Sequence, residues 1–495
     1  MNKAIKNILA SILPQLVNII TNLVLPGLII IRFGSEMNGL VSTTKTIISY
    51  ISLVGAGIAA AVTQALYEPV AKKDNERIKG MLNAAGKMFN KYGLLFCLIT
   101  IAVAFLYPIF IRAEIDYKIM VVLLIVMSLS GASEFFAIGR CRALLYANQQ
   151  VYACMLIQAA SLFIGFILAI IMLNLGMGIL IVEFAISFVY VVRGVFLNAY
   201  VKKRYPELSN YKKTPPINDA INKRNDAMIH QLSGVIVAGS QAAVLSILVD
   251  LQAASVFAVY NIVFSGLQSI CSNLSTAVTP FLGRVLASGD EKGLNRLYDL
   301  IEYAFFALVT FVYSVTAITI LSFVSIYTEG ADITYYYPLF AALFVLSSAF
   351  YILKLPSLSL INIAGHFKET KRYAIIETVL CVVISIVLTL SIGKEGVLIG
   401  TGLAMTWRCI VSIIYADKVI LKRNHRISFS RFISVALVLG ISCICAQFVQ
   451  FAPSNYLQWL LLAMITCVIV GIVIVLEGVI FERKTLKYAI SLFRK

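Results

Sequence analysis

Apolar residues in this chain come in runs of about twenty, and polar residues are largely confined to the short stretches between them. Coiled as α-helix, a run of that length matches the roughly 30 Å hydrocarbon core of a bilayer, whereas a spanning barrel would need alternating stretches of about ten. The pattern predicts an all-α polytopic membrane protein with about fourteen transmembrane helices: 8–31, 40–66, 92–111, 119–139, 151–173, 177–198, 228–248, 253–279, 303–326, 335–360, 373–392, 396–416, 432–451 and 457–481. The first run follows Lys3 and Lys6 but is too long for the apolar stretch of a signal peptide, so it is read as a span. Two segments between runs, 68–91 and 284–302, mix charge with residues such as Ile78, Met81 and Leu82, or Leu294, Leu297 and Ile301. They predict amphipathic helices at the membrane surface, with solvated helical loops as the alternative.

The pattern occurs twice. Shifted by 216 positions without a gap, Gln15–Phe89 lies on Gln231–Phe305 with 12 identities in 75 pairs, half of them between Ala61 and Asp74. There Ala61, Val62 and Thr63 meet Ala277, Val278 and Thr279, while Leu66, Ala71 and Asp74 meet Leu282, Ala287 and Asp290. Later in each half Tyr152 pairs with Tyr373, Arg193 with Arg408 and Tyr200 with Tyr415. Six helices per copy is an even number, so both copies enter the membrane from the same side and the repeats are parallel, related by an axis along the membrane normal. The expected domains are a six-helix bundle at 1–200, a linker at 201–227, a second bundle at 228–424, and two additional helices with a basic tail at 425–495.

Composition sharpens this picture. The chain is 60% apolar and 13% charged, with a mean hydropathy of +0.90, which excludes an ordinary soluble protein. Of its 41 Lys and Arg, 33 fall in alternate connections and the terminal segments, and only Arg32, Arg112, Lys118 and Lys394 fall in the others. By the positive-inside rule both termini are cytoplasmic, so the net charge of +17 is mainly a topological signal rather than a mark of nucleic-acid binding. Nine cysteines lie in or beside apolar runs without a CxxC pair, as small hydrophobes do, and the three histidines make no metal or triad pattern.

Four motifs carry a family resemblance: Gly34-Ser35-Glu36-Met37-Asn38-Gly39-Leu40-Val41 after the first span, Val256-Phe257-Ala258-Val259-Tyr260-Asn261 in the eighth, Ala364-Gly365-His366-Phe367-Lys368-Glu369-Thr370 before the eleventh, and Gly396-Val397-Leu398-Ile399-Gly400-Thr401 opening the twelfth. In this order and spacing they resemble the bacterial polysaccharide transporters, the Wzx-type flippases of lipid-linked oligosaccharides within the multidrug/oligosaccharidyl-lipid/polysaccharide (MOP) superfamily. The resemblance spans nearly the whole chain. It implies a MATE-like architecture, with two six-helix bundles facing a central cavity and two further C-terminal helices. It also implies alternating access in the bacterial cytoplasmic membrane. The sugar-pyrophosphate head of a polyprenyl carrier enters the cavity from the cytoplasm and leaves at the outer leaflet while its tail stays in lipid. The implied partners are that polyprenyl-linked glycan, membrane lipids and polysaccharide polymerase machinery, with a monomer as the expected state and no cofactor beyond a coupling H+ or Na+.

Four cations lie within predicted spans: Lys45, Arg193, Lys354 and Arg408. A cation near a bilayer centre costs about 2.5 to 3.5 kcal/mol on insertion scales, so such residues face a cavity, a partner or the interface. Arg408 lies about eight residues inside its helix, while its repeat mate Arg193 is close enough to the end for snorkelling to compete. Lys354 precedes Pro356, which removes a backbone donor and can kink the tenth helix; Lys45 aligns with Asn261, so its charge is particular to one half. Cations on both halves would bind a pyrophosphate through charge-assisted hydrogen bonds. Glu183, the deepest acid, is the candidate carrier of a coupling ion, with a structural hydrogen bond as the alternative. Glu134 and Glu377 read as ion pairs with Arg140 and Arg142, or with Lys371 and Arg372. Pro14 and Pro26 are candidate hinge or gate positions in the first helix, and the GxxxG spacing of Gly396 and Gly400 predicts a close helix contact.

Other readings remain. A MATE-type exporter of small molecules would favour acids in the spans, and a lipid II flippase is expected to show an arginine-rich first helix, which this chain lacks. A membrane glycan polymerase or acyltransferase would need catalytic groups on a sizeable outer loop, and the outer loops predicted here are about ten residues at most.

Overall fold

The computed structural model describes residues 3–483 and 485, apart from 56–57, 112, 209, 212–213, 218–224 and 447–452. Among these residues every regular element is helical: α1 (Lys3–Phe33), α2 (Ser35–Ser52), α3 (Ile58–Lys72), α4 (Asn75–Leu106), α5 (Tyr117–Ser133), α6 (Gly139–Ala147), α7 (Val151–Asn174), α8 (Ile179–Arg204), α9 (Asn225–Leu248), α10 (Leu251–Ala287), α11 (Glu291–Tyr327), α12 (Pro338–Leu353), α13 (Leu355–Ile363), α14 (Phe367–Ile392), α15 (Glu395–Tyr415), α16 (Arg426–Ala446) and α17 (Tyr456–Phe481). Among the described residues twelve stretches are long and apolar enough to cross a bilayer, and the chain is a multi-pass membrane protein. The two remaining predicted spans correspond to α2 with α3 and to α9. The former is split by a 3₁₀ turn at Leu53–Gly55, and α2 buries Ser35, Asn38, Thr43 and Thr44 inside the protein, which lowers its hydropathy.

The segments predicted as amphipathic surface helices run from the last turns of α3 and α10 into the opening turns of two long, unbroken helices, α4 and α11, of 32 and 37 residues. Each opens on the repeated aspartate. Asp74 accepts from the backbone N–H of Arg77 at 3.1 Å and Asp290 from that of Gly293 at 2.9 Å, satisfying an otherwise orphan donor at each N-terminus. The repeat's other identities have structural causes too. Leu66 and Leu282 are both fully buried, and Thr63 and Thr279 both return their hydroxyls to the backbone carbonyl four residues earlier, at 2.7 and 2.9 Å.

The chain forms two compact units, Met1–Ser255 and Val256–Lys495. The sequence places the division at 201–227, whereas the compact units part inside α10. Three hydrogen bonds lie on this side of the division: Asn38 Nδ2 donates to Ser255 Oγ at 2.7 Å, Tyr50 OH to the Ile236 carbonyl at 3.0 Å, and Tyr107 OH to Ser246 Oγ at 3.2 Å. They join α9 and the start of α10 to the rest of unit 1. The linker is also held to that unit, since Leu208 joins its core, Asn83 Nδ2 donates to the Thr214 carbonyl at 2.7 Å, and the Ile217 N–H donates to the Gly80 carbonyl at 3.2 Å.

In unit 2 the GxxxG spacing does what it predicts. A Cβ on Gly396 would lie 2.3 Å from the Leu388 carbonyl carbon and one on Gly400 2.4 Å from the Ser385 nitrogen, so only glycine lets α14 and α15 approach this closely. Helices α16 and α17 pack along α11, where Trp459 Nε1 donates to the Thr319 carbonyl at 3.1 Å. Pro14 and Pro26 lie inside α1 without interrupting it. At Pro356 the chain does break, α12 ending before Lys354 and α13 starting after it.

Candidate functional site

The sequence-predicted charges fall into three groups, two in unit 1 and one in unit 2. In unit 2, Lys354 sits at the break between α12 and α13, and its side chain reaches Glu377 of α14 and Met405 of α15. Its ammonium donates to Glu377 Oε1, lies 3.5 Å from Met405 Sδ and stands 4.4 Å from the Tyr351 ring centroid. Arg408 Nε is 3.2 Å from the other carboxylate oxygen of Glu377. All three side chains are buried, Arg408 to 2% exposure. Glu377 therefore does not pair with Lys371 or Arg372 as its position suggests. It lies five or six residues further along α14, on the side that faces Lys354 and Arg408.

Unit 1 repeats the arrangement with different donors. Arg193, the repeat mate of Arg408, lies 3.8 Å from Glu134 Oε2 and 5.8 Å from the Tyr190 ring centroid, and Arg142 lies 2.6 Å from Glu134 Oε1. Glu134 opens a π-helical turn between α5 and α6. Each half thus holds one carboxylate between two cations, although the carboxylate comes from the fifth spanning helix in one copy and from the α5–α6 turn in the other. A buried ion survives only when its charge is largely neutralised nearby, as in the unit 2 cluster; in unit 1 Arg193 is buried while Glu134 and Arg142 are about a third exposed, and each cluster carries one positive charge in excess.

Lys45 and Glu183 meet in a separate cavity of ≈240 Å³ among α1, α2, α5, α7 and α8, together with Asn18, Asn22, Ser161 and Tyr190. Glu183 is 3% exposed, and among the described residues no hydrogen bond to it is seen. Lys45 is exposed and is the cation whose field reaches it.

Sequence reasoning missed a fourth cluster. At the end of unit 2 where α11, α16 and α17 meet, Arg423 contacts Asp299 and Asp417 at 2.7 Å and Glu302 at 3.2 Å. Arg431 contacts Glu302 at 2.8 Å and Glu482 at 2.6 Å. Burial opposes the charged Arg423, yet Glu302, Asp417 and Asp299 outweigh it and hold the guanidinium above its ordinary range. The signal was present: Asp299 and Glu302 are three apart on one helix face and align with Asn83 and Gly86 in the first half, so only the second copy carries two acids there.

The fold is that of the MOP-type membrane transporters. One similar solved structure is an inward-facing multidrug resistance MATE family transporter of the MOP superfamily, 15% identical with a TM-score of 0.66, matched over 85% of this chain and 99% of that one. Another is the lipid II flippase MurJ in an inward closed conformation, 14% identical with a TM-score of 0.66, over 96% and 99%. A third, a MOP superfamily transporter from Pyrococcus furiosus, is 14% identical with a TM-score of 0.52, over 85% and 96%. No family model and no curated protein matches the chain by sequence.

Proposed function

We propose that this protein is a flippase that carries a polyprenyl-(pyro)phosphate-linked oligosaccharide from the cytoplasmic to the outer leaflet of a bacterial cytoplasmic membrane by alternating access, for cell-surface polysaccharide assembly. The observation that carries this reading is the surplus positive charge inside both units, at Arg193 with Arg142 and at Arg408 with Lys354, each set around a single carboxylate. A phosphorylated head group leaving water needs such counter-charge, and guanidinium groups supply it with directional hydrogen bonds. The match to a lipid flippase over 96% of the chain supports the same reading, as it takes in more of the chain than the 85% matched by the MATE transporter. In this reading both termini are cytoplasmic, which the basic connections support through the positive-inside rule.

Glu183 is assigned the coupling role. A buried acid without a hydrogen bond among the described residues, in a cavity beside an exposed lysine, is suited to exchange a proton or bind Na+ as the pump resets. The same acid is what a cation-coupled small-molecule exporter would use, and that is the second reading. The discriminating experiment deletes the gene and asks in which leaflet lipid-linked repeat units accumulate. Retention on the cytoplasmic side is expected, reversed by the wild-type gene and not by Arg408→Ala. Units reaching the outer leaflet at normal levels without the protein would overturn the flippase reading. A normal Arg408→Ala strain would remove only the role of that arginine.

A further inference from the structure

Where α4, α6 and α8 meet the linker, unit 1 contains a second cavity of ≈440 Å³, separate from the one around Glu183. Its walls carry Arg140 and Lys202, with Asn198, Tyr205 and Tyr211 between them. Among the described residues Arg140 is held by neutral groups alone. It donates to the Tyr211 hydroxyl and, at 3.1 Å, to Asn198 Oδ1, and its guanidinium lies 4.6 Å from the Tyr211 ring centroid. Arg142, Arg193, Arg408, Arg423 and Arg431 each have a carboxylate within 4 Å; among the described residues Arg140 and Lys202 have none.

The repeat shows where the counter-charge went. Asp299 and Glu302, which neutralise the arginines of unit 2, align with Asn83 and Gly86, and a Cβ on Gly86 would lie 3.6 Å from Arg140 Nη1. Unit 1 therefore has an amide and a glycine packed against Arg140 and Tyr211 where unit 2 has two carboxylates. A half-buried guanidinium beside an empty volume, with no acid of its own, attracts an anion.

We propose that this cavity binds a phosphate group, either as free orthophosphate or as the head of an anionic phospholipid, with Arg140 and Lys202 as its charged contacts. Phosphate suits the site because Arg140 on α6 and Lys202 on α8 present cationic donors from two helices, which its several oxygens can accept at once. The assignment is independent of the transport reading, since it concerns a different cavity. It also couples the ligand to the linker, because Tyr211 shares Arg140 with it.

The test uses the full-length protein purified in detergent, with thermal unfolding followed at constant ionic strength. The probes are orthophosphate against chloride, and micelles doped with dioleoylphosphatidylglycerol against dioleoylphosphatidylcholine. At least one anionic probe should raise the midpoint. Arg140→Gln and Lys202→Gln should each weaken that response about tenfold or more, the loss of one charge-assisted contact. A response to orthophosphate alone identifies a soluble ligand, and one to phosphatidylglycerol alone identifies a lipid head. Tyr211→Phe removes the linker's hydroxyl but keeps the cation, and should retain the response. The proposal is overturned if neither probe shifts the midpoint, if Lys202→Gln responds as the wild type does, or if Tyr211→Phe abolishes the response as fully as Arg140→Gln.

Discussion

A methyl group added at Gly39 would stand 1.8 Å from the carbonyl oxygen of Leu251, a backbone atom that cannot rotate away. The absence of a side chain there lets α2 meet the start of α10, next to the hydrogen bond from Asn38 to Ser255. Gly165 provides the contrast, for a Cβ placed there would meet nothing within 4 Å. Gly39→Ala should lower the stability of the purified protein by about 1–3 kcal/mol or more, the usual range for overpacking. Gly165→Ala should be neutral or stabilising by about 0.5–1 kcal/mol, the helix preference of alanine over glycine. Thermal midpoints of the two variants in the same detergent decide this, and an unchanged Gly39→Ala protein would mean that α2 and α10 are not in the contact described. Neither glycine's place in the sequence tells how close a neighbour stands. What separates them is a neighbour more than two hundred positions away.

At the scale of elements, periodicity and helix ends were largely legible, and contacts between helices were not. Asp74 and Asp290 stood out in the repeat because a capping aspartate is a local requirement that both copies must meet. The continuity of α4 and α11 was hidden, since charge in the first turns of a long helix looks the same as charge on a separate surface helix. The docking of α17 was hidden as well: Glu482 reaches Arg431 with both oxygens, at 2.6 and 2.9 Å, and accepts from Thr485 at 2.7 Å. Burial raises the pKa of Glu482, but the Arg431 and Thr485 hydrogen bonds outweigh it and hold the carboxyl below its ordinary 4.5. A carboxyl with a lowered folded-state pKa contributes stability above its unfolded value and loses it as pH falls through the folded one. The midpoint of wild type should therefore exceed that of Glu482→Gln by a constant margin from neutral pH down to about 4.5, and the margin should close below it. A gap that persists into strong acid would show that the carboxylate is not what holds the end of α17.

For the whole molecule, hydropathy delivered the helical class and the basic connections, and the repeat delivered the pairing of Arg193 with Arg408. Neither could show that each arginine meets a carboxylate from a different place, because ion pairs are made by tertiary contact and not by spacing. The last two helices illustrate the limit best. Without a counterpart in the first half they read as an appendix, yet they are built into unit 2. The aromatic ring of Phe432 lies 5.3 Å from that of Phe350, Trp459 lies 5.4 Å from Phe323, and Arg431 neutralises Glu302, which is 1% exposed. Ending the chain after Asn424 would strip that apolar cover from α11 and leave Arg423 as the one remaining arginine of the cluster against Asp299, Glu302 and Asp417. Breaking a buried pair by removing one partner costs about 3–5 kcal/mol, a large share of the stability of a typical domain. The truncated protein should therefore be recovered from detergent at a small fraction of the full-length yield and run as aggregate in size-exclusion chromatography. Adding Glu302→Gln to the truncation should recover part of the monodisperse peak by removing the orphaned charge, while the exposed face of α11 keeps recovery incomplete. A truncated chain as monodisperse and heat-resistant as the full-length protein would show that α16 and α17 are an independent addition after all.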